Sequence, residues 1–462
     1  MPVLTDARDG DELRIDLPPD VRRVIALLAG AGREAALVGG CVRDAVRGAW
    51  PTDWDVATSA PPDEVASMFP RSSWENRFGT VTVLPEERGG RPVEVTTYRV
   101  EGPYRDRRRP ETVRWGGSLD EDLSRRDFTI NAMAWIPIDV EAGTGRLRDP
   151  FGGADDLRSR ILRAVGDPDE RIAEDALRMV RAVRFATRFG LVVDAGTQAA
   201  IRRHAPEAAS LSGERVRDEL LRILAGDAPP SEGLSLMESL GLLRVLLPEL
   251  AALRGVPQAK ATPGDALDHS LRTVDALPAA DPPLRLAGLL HDLGKATTLA
   301  DGHFIGHERT GAELAEALLK RLRLPRTDAS RITRLIRHHM FAYTLDWTDA
   351  AVRRFVRRVG ADLLDDLYAL RSADNAASGA REPSTGGLDE LRARAARAVA
   401  ADPMSPQQLA VGGDDLVREL RLRPGPIVGR LLDELMEAVL EDPGLNRRDT
   451  LLALARESLP RE

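Results

Sequence analysis

The chain has 462 residues, enough for two to four domains and a large core. Aromatics make up only 4%, so Leu, Ala and Val must supply most of the apolar volume, and the abundance of Ala, Leu, Arg and Glu favours helix. One cysteine excludes a disulfide scaffold and fits a reducing, cytoplasmic setting, and the absence of any run of 18 apolar residues excludes a helical membrane span.

The net charge of −8 does not exclude a nucleic-acid partner, because local patches rather than totals bind phosphate. Arg22-Arg23, Arg105 to Arg109, Arg178 to Arg188, Arg202-Arg203 and Arg353 to Arg358 are such stretches. Residues 1–24 read as a lead-in, acidic and mixed and unlike a signal peptide. Ala36-Leu37-Val38 reads as a short buried strand, followed by Gly39-Gly40 and a helical stretch from Val42 to Val46. A strand, a glycine pair and a helix N-terminus let backbone N–H groups approach a phosphate, and Arg43 adds a cation; an ordinary glycine turn would look the same. Cys41, inside that turn and without a nearby histidine in sequence, reads as a packing residue. Asp53 and Asp55 flank Trp54 on an expected strand, where residues two apart share a face. Two carboxylates on one face suit Mg²⁺, and a two-metal site can activate a hydroxyl and stabilise a leaving pyrophosphate.

Val81 to Leu84 and Pro92 to Arg99 form an expected hairpin through the Glu-Arg-Gly-Gly turn at 87–90. Glu94 on it is either a third cleft carboxylate or an exposed strand residue. The stretch Arg105 to Arg109 reads as a loop, closing over ligand or merely solvated. Phe128, Ile130, Ala132 and Ala134 alternate with Thr129, Asn131 and Met133, which predicts a half-buried strand led by Arg125 and Arg126. Those arginines either bind phosphate or neutralise Asp120, Glu121 and Asp122. Residues 174–189 carry a helical pattern with Leu177, Val180, Val183 and Ala186 inside. Asp175 and Arg178 would then neighbour each other on one face, with Arg181, Arg184 and Arg188 as a cationic strip. An acceptor carboxylate beside a planar guanidinium can pair with the amino group and ring acceptor of cytosine or adenine and reject guanine and uracil. A plain solvated face with an ion pair is the alternative.

Six of the seven histidines lie between His269 and His339, where an even scatter would put about one. Imidazoles and carboxylates are the ligands of divalent-metal hydrolases. His291 and Asp292 are adjacent on Ala287 to Lys295, which reads as a helix ended by glycine. His303 reads as a surface residue.

Gly-Gly-Cys-Val-Arg-Asp at 39–44, Asp53-Trp54-Asp55 and Arg-Arg-Asp-Phe-Thr-Ile-Asn-Ala at 125–132 together resemble the class II tRNA nucleotidyltransferases. That family holds CCA-adding enzymes and bacterial poly(A) polymerases. Asp149 to Asp156-Leu157, Glu174 to Arg178, and Ser212 to Val216 with Glu219-Leu220 are similar to its later motifs, so the likeness covers about residues 25–250. The resemblance implies Mg²⁺ at Asp53 and Asp55, triphosphate at Gly40, Arg43 and Arg126, base reading by Asp175 and Arg178, and nucleotide contact by Arg181 and Arg184. It implies tRNA, CTP and ATP as partners. The motifs do not separate CCA addition from CC-only, A-only or poly(A) synthesis; CCA addition is preferred because one Asp/Arg pair suits both bases. Ala287 to Lys295 resembles the HD phosphohydrolases. That likeness implies a four-ligand core of His269, His291, Asp292 and Asp374, with His307 and His338, joined by His339, as the additional ligands of its binuclear members, holding a divalent transition metal. From another class, a metal-dependent HD hydrolase with an RNA-binding head is the rival.

The expected fold class is α+β: a small mixed-sheet nucleotidyltransferase head at 25–150, then an all-α neck at 151–225, a body at 226–260, an HD module at 261–380 and a helical tail at 381–462. The composition breaks at Gly226–Ser231, Gly255–Gly264 and Gly379–Gly387 set those boundaries. Oligomeric state is not legible.

Overall fold

The computed structural model describes residues 6–74, 79–86, 89–101, 113–258, 260–379 and 385–459. The arginine-rich stretch 105–109 lies outside them. The chain divides into two compact units, residues 1–248 and 249–462.

The first unit begins with a mixed sheet of eight strands among the described residues. Their order is Glu12–Arg14, Thr144–Arg148, Ala134–Asp139, Ala35–Val38, Asp55–Thr58, Val93–Thr97, Thr80–Val83 and Ser72–Ser73. All neighbours run antiparallel except Asp55–Thr58 and Val93–Thr97, which are parallel. Ala35–Val38 is central and buried at every position, as an apolar run covered on both faces must be. Thr80–Val83 and Val93–Thr97 form the expected hairpin, with Val81, Val83, Val93 and Val95 turned inward. The helix Pro19–Gly30, opened by Pro19 at its first turn, lays Val21, Val24, Ile25 and Leu28 on the sheet at helical spacing.

Past residue 150 this unit is mainly helical. Pro168–Glu174, Leu177–Phe189, Ala195–His204 and Gly213–Leu224 follow, then Pro230–Ser239 and Leu242–Leu246. Gly190, left-handed at φ 62°, ends the long helix Leu177–Phe189.

The second unit is all helix among the described residues. Ala266–Asp275, Pro282–Leu290, Arg326–His338 and Leu364–Ala377 pack together, and His307–Arg321 lies along Arg326–His338. Beyond residue 400 a separate apolar cluster gathers Leu416, Leu431, Leu435, Val439 and Leu451. Arg353 joins the two parts: its Nε donates to Leu440 O at 2.6 Å and its Nη2 to Glu441 O at 2.9 Å, at the carbonyl end of the helix Pro426–Glu441. The fold is therefore α+β, as expected.

Three local expectations are corrected. Residues 125–133 are not a strand: Thr129–Asn131 is a short 3₁₀ turn, and the strand starts at Ala134. Thr129, Asn131 and Met133 are as buried as their neighbours, because their polar atoms find internal partners. The 174–189 helix is broken at Asp175, which is extended at φ −148° and ψ 105°. The helix through His291 ends at Leu290. Gly294 does not cap it, since its φ of −65° is ordinary. Instead a Cβ there would meet His307 O at 2.1 Å and Gly311 N at 2.7 Å, so glycine lets His307 approach Asp292.

Candidate active site and a histidine-carboxylate cluster

The glycine turn is built as its sequence predicts. Gly39 holds φ 73° and ψ −127°, a conformation open to glycine, and the helix Gly40–Val46 starts directly after it. Opposite lies the start of the strand Asp55–Thr58. Asp53 and Asp55 line one cavity of about 580 Å³ together with Gly39, Gly40, Arg43, Arg126, Asp175, Arg178, Arg181 and Arg184. Glu94 lines it too, because its strand runs parallel to Asp55–Thr58 with Glu94 in register with Asp55. Burial pushes the Asp55 carboxyl up to about 6; Arg126 opposes the rise, and Glu94 and Asp53 add to it. Three oxygen donors of one sign, crowded where charge is costly, fit a hard divalent cation. Trp54 between the two aspartates points into the core and is 2% exposed.

Arg126 Nη2 reaches Asp122 Oδ2 at 3.2 Å, and Arg125 Nη2 reaches Asp122 Oδ1 at 2.6 Å. Asp122 is the one carboxylate both use; Asp120 pairs with Arg148, and Glu121 closes a capping box with Ser118. Arg43 is buried. Its Nη1 donates to Asn131 Oδ1 at 2.7 Å, its Nε to Asp44 at 3.0 Å, and its guanidinium lies 4.5 Å from the Phe189 ring. Asn131 thus holds Arg43 and donates to Asp127 at 3.1 Å, rather than serving the backbone.

Asp175 and Arg178 do not pair with each other. Asp175 Oδ1 accepts from Leu177 N at 3.0 Å and starts the long helix, while Oδ2 meets Arg215 Nη2 at 2.6 Å. Arg178 donates to Glu174 Oε2 at 2.5 Å, Arg171 O at 2.7 Å and Arg125 O at 3.0 Å. Both forks and carboxylates are thereby fixed at the cavity wall. Two arginines of the strip are held by carboxylates as well, Arg181 by Asp127 at 2.6 Å and Arg184 by the buried Glu219 at 2.5 Å, while Arg188 lies over the Phe189 ring at 5.3 Å. Arg215 is the site residue that sequence reasoning missed in this role, since nothing in a 40-residue separation marks it as the partner of Asp175. Cys41 is buried, its Sγ 3.3 Å from Val38 O, and burial pushes its thiol up to about 12; it is a packing residue.

In the second unit His269, His291, Asp292, His307, His339 and Asp374 come together. His291 and His339 rings lie 5.1 Å apart, His307 and His339 5.2 Å, and His269 and His291 5.3 Å. His269, His291 and Asp374 form one ligand-competent group, and His291, Asp292 and His339 another. His339 Nδ1 is 2.6 Å from Ile336 O, His291 Nδ1 2.7 Å from Gly288 O, and His307 Nδ1 2.7 Å from Phe304 O. A carbonyl only accepts, so each Nδ1 carries the proton and each Nε2 presents a lone pair. Those three buried Nε2 atoms have no hydrogen-bond partner, which fits a bound metal. Burial holds His339 down at about 3, with His291 adding to the shift. His338 is the exception: it is half-buried beside Arg358, Arg334 and Arg337 and stands outside both ligand groups, so His339, not His338, joins the cluster. His303 is exposed at the mouth of the adjoining 480 Å³ cavity.

The family model described as the poly A polymerase head domain matches residues 35–163, that of the probable RNA and SrmB-binding site of polymerase A residues 190–253, and that of the HD domain residues 266–377. An A-adding tRNA nucleotidyltransferase of Deinococcus radiodurans is 38% identical over 425 residues, 87% of this chain and 91% of that protein. The chain belongs to the tRNA nucleotidyltransferase family. A CCA-adding enzyme of Lactiplantibacillus plantarum is 33% identical over 435 residues, 94% of each chain. The crystal structure of the Bacillus stearothermophilus CCA-adding enzyme in complex with CTP superimposes with a TM-score of 0.70 at 29% identity, covering 96% of this chain and 98% of that one. This tRNA nucleotidyltransferase therefore carries its family's head together with an HD domain, and the family's chemistry is metal-dependent. No helix among the described residues is long and apolar enough to cross a membrane.

Proposed function

We propose that this chain completes tRNA 3′ ends in the cytoplasm by adding CCA from CTP and ATP without a template. One observation carries the reading: the carboxylates of Asp53, Asp55 and Glu94 share a cavity with the glycine turn and with Asp175 and Arg178. Asp53 and Asp55 would hold Mg²⁺, which when bound lowers the barrier to displacement at the α-phosphorus by neutralising the attacking and leaving oxygens. Gly40, Arg43 and Arg126 line the place for the triphosphate. Asp175 accepts from the exocyclic amino group of the base, and Arg178 donates to the neighbouring ring nitrogen and, in cytosine, to the carbonyl as well. Arg215 orients Asp175, and the Glu174 contact orients Arg178. Positioning and charge complementarity supply the catalysis, with no covalent enzyme intermediate. In the expected division, head 25–150 performs transfer, neck 151–225 reads the base, head, neck and body 226–260 hold the tRNA, and the HD module 261–380 is the place for a secondary phosphohydrolase activity.

The full-length likeness to the Deinococcus radiodurans protein favours a second reading, addition of the terminal A alone. Purified chain, Mg²⁺ and labelled CTP, ATP, GTP or UTP separate the two on tRNA that lacks CCA and on tRNA ending in CC. Three-residue extension of the first substrate supports CCA addition. Extension of the second only, by ATP only, supports A addition. Long A tails on either would overturn both in favour of poly(A) synthesis. No extension, with release of phosphate from a phosphate ester, would favour the hydrolase rival.

A further inference from the structure

The six residues of the histidine-carboxylate cluster divide into two cation positions, and a side chain of this chain stands in one of them. Lys260 Nζ lies 2.7 Å from His269 Nε2 and 3.2 Å from Asp374 Oδ1. An ammonium group only donates, so it satisfies the imidazole lone pair and the carboxylate that a metal would otherwise take. His269 Nε2, which also lies 3.0 Å from Asp374 Oδ1, is a satisfied atom and only its Nδ1 lacks a partner, whereas the Nε2 atoms of His291, His307 and His339 are unsatisfied. Those three converge on Asp292: His291 Nε2 lies 3.2 Å from Oδ2, His307 Nε2 3.4 Å and His339 Nε2 3.8 Å from Oδ1. With their protons on Nδ1, lone pairs face carboxylate oxygens, an arrangement that a cation between them relieves. Lys295 Nζ, 2.6 Å from Asp292 Oδ2 and 3.1 Å from Gln258 Oε1, covers the oxygen on the Lys260 side.

The geometry points to a centre that holds one metal ion, at His291, Asp292, His307 and His339, with the Lys260 ammonium as the fixed second cation at His269 and Asp374. Lys260 thereby sets the metal count of the centre. A second ion must displace it, at the cost of leaving an ammonium half-buried and unpaired. Imidazole-rich donors suit Co²⁺, Zn²⁺ or Mn²⁺ rather than Mg²⁺ at the metal position.

Cobalt titration tests this on the full-length chain carrying Asp53→Ala and Asp55→Ala, so that the head does not contribute. Stoichiometry is read by calorimetry and by the visible absorption of nitrogen-ligated Co²⁺. One equivalent is expected. Lys260→Met removes the charge but keeps the length, and should admit a second equivalent; a misfolded chain would not gain a site. Lys260→Arg should stay at one. Lys260→Met with His269→Ala should return to one, which assigns the gained ion to the position Lys260 had filled. Two equivalents, or none, before any change at Lys260 would overturn the inference. So would a Lys260→Met chain that still takes only one.

Discussion

Asp175 carries structural contacts at the wall of the cavity proposed here for nucleotide. It starts the long helix through Leu177 N and holds Arg215, yet it lines the nucleotide cavity. Asp175→Ala is expected to relax nucleotide choice: misincorporation of GTP and UTP rises about tenfold or more, the worth of one lost discriminating contact. Unchanged rejection of both in single-nucleotide extension assays would remove its base-reading role. Asp127, behind it, gives a pH prediction. Burial alone would raise its carboxyl, but the Arg181 ion pair and the hydrogen bonds from Asn131 and Arg181 outweigh burial and hold it at about 2. A depressed carboxyl stabilises the fold above its ordinary value of 3.8 and loses that contribution as pH falls through about 2. The difference corresponds to about 2 kcal/mol at neutral pH. Asp127→Asn should therefore unfold at lower denaturant than the parent at pH 7, with the gap narrowing below pH 4; a pH-independent gap would contradict the ion-pair account. The aspartate pair and the histidine-carboxylate ligands were legible because their chemistry is written in adjacent or nearby residues. Arg215 and Lys260 were not, because their partners are set by tertiary packing, and of the expected neighbours His338 and His339 only His339 reaches the cluster because a one-residue step on a helix turns the side chain by about 100°.

At the scale of elements, the glycine turn gives the sharpest test. A Cβ on Gly39 would lie 2.5 Å from Arg126 Nη1, and the φ of 73° with ψ of −127° is strained for any other residue. Gly39→Ala should cost about 1–3 kcal/mol of stability. It should also displace Arg126 from the triphosphate side of the cavity, raising KM for nucleotide about tenfold. A variant with a normal melting temperature and normal KM would show that the turn tolerates a side chain and that Arg126 is not held by it. The strand–glycine–helix unit was readable because local conformational demands chose its residues. The run 125–133 was misread because full burial hides the difference between a strand and a turn: period-two alternation needs one wet face, and this segment has none. The break at Asp175 was hidden for another reason. Apolar spacing continues through it, and the bond from Leu177 N to the Asp175 side chain together with the Arg215 pair favours the extended Asp175.

Across the whole molecule, the nucleotide cavity belongs to the first compact unit and the histidine cluster to the second. The expected boundaries came from glycine- and proline-rich breaks, whereas the contact division falls after Pro248, inside the short helix Pro248–Ala251. Separate cavities in separate units predict separable losses. Asp53→Ala should lower nucleotide incorporation about a thousandfold or more, because a developing charge loses its cation. The same variant should keep the stabilisation that a transition metal gives the second unit. At a hundredfold excess over Kd that stabilisation is about 2.7 kcal/mol, an upward Tm shift of about 5–10 °C, and a chelator should abolish it. His339→Ala should do the reverse, removing the metal-dependent shift while incorporation continues. Extension assays and thermal melts on the two variants decide the matter. Loss of both properties in either variant would mean that the two sites are coupled and that the contact division does not describe how the chain works.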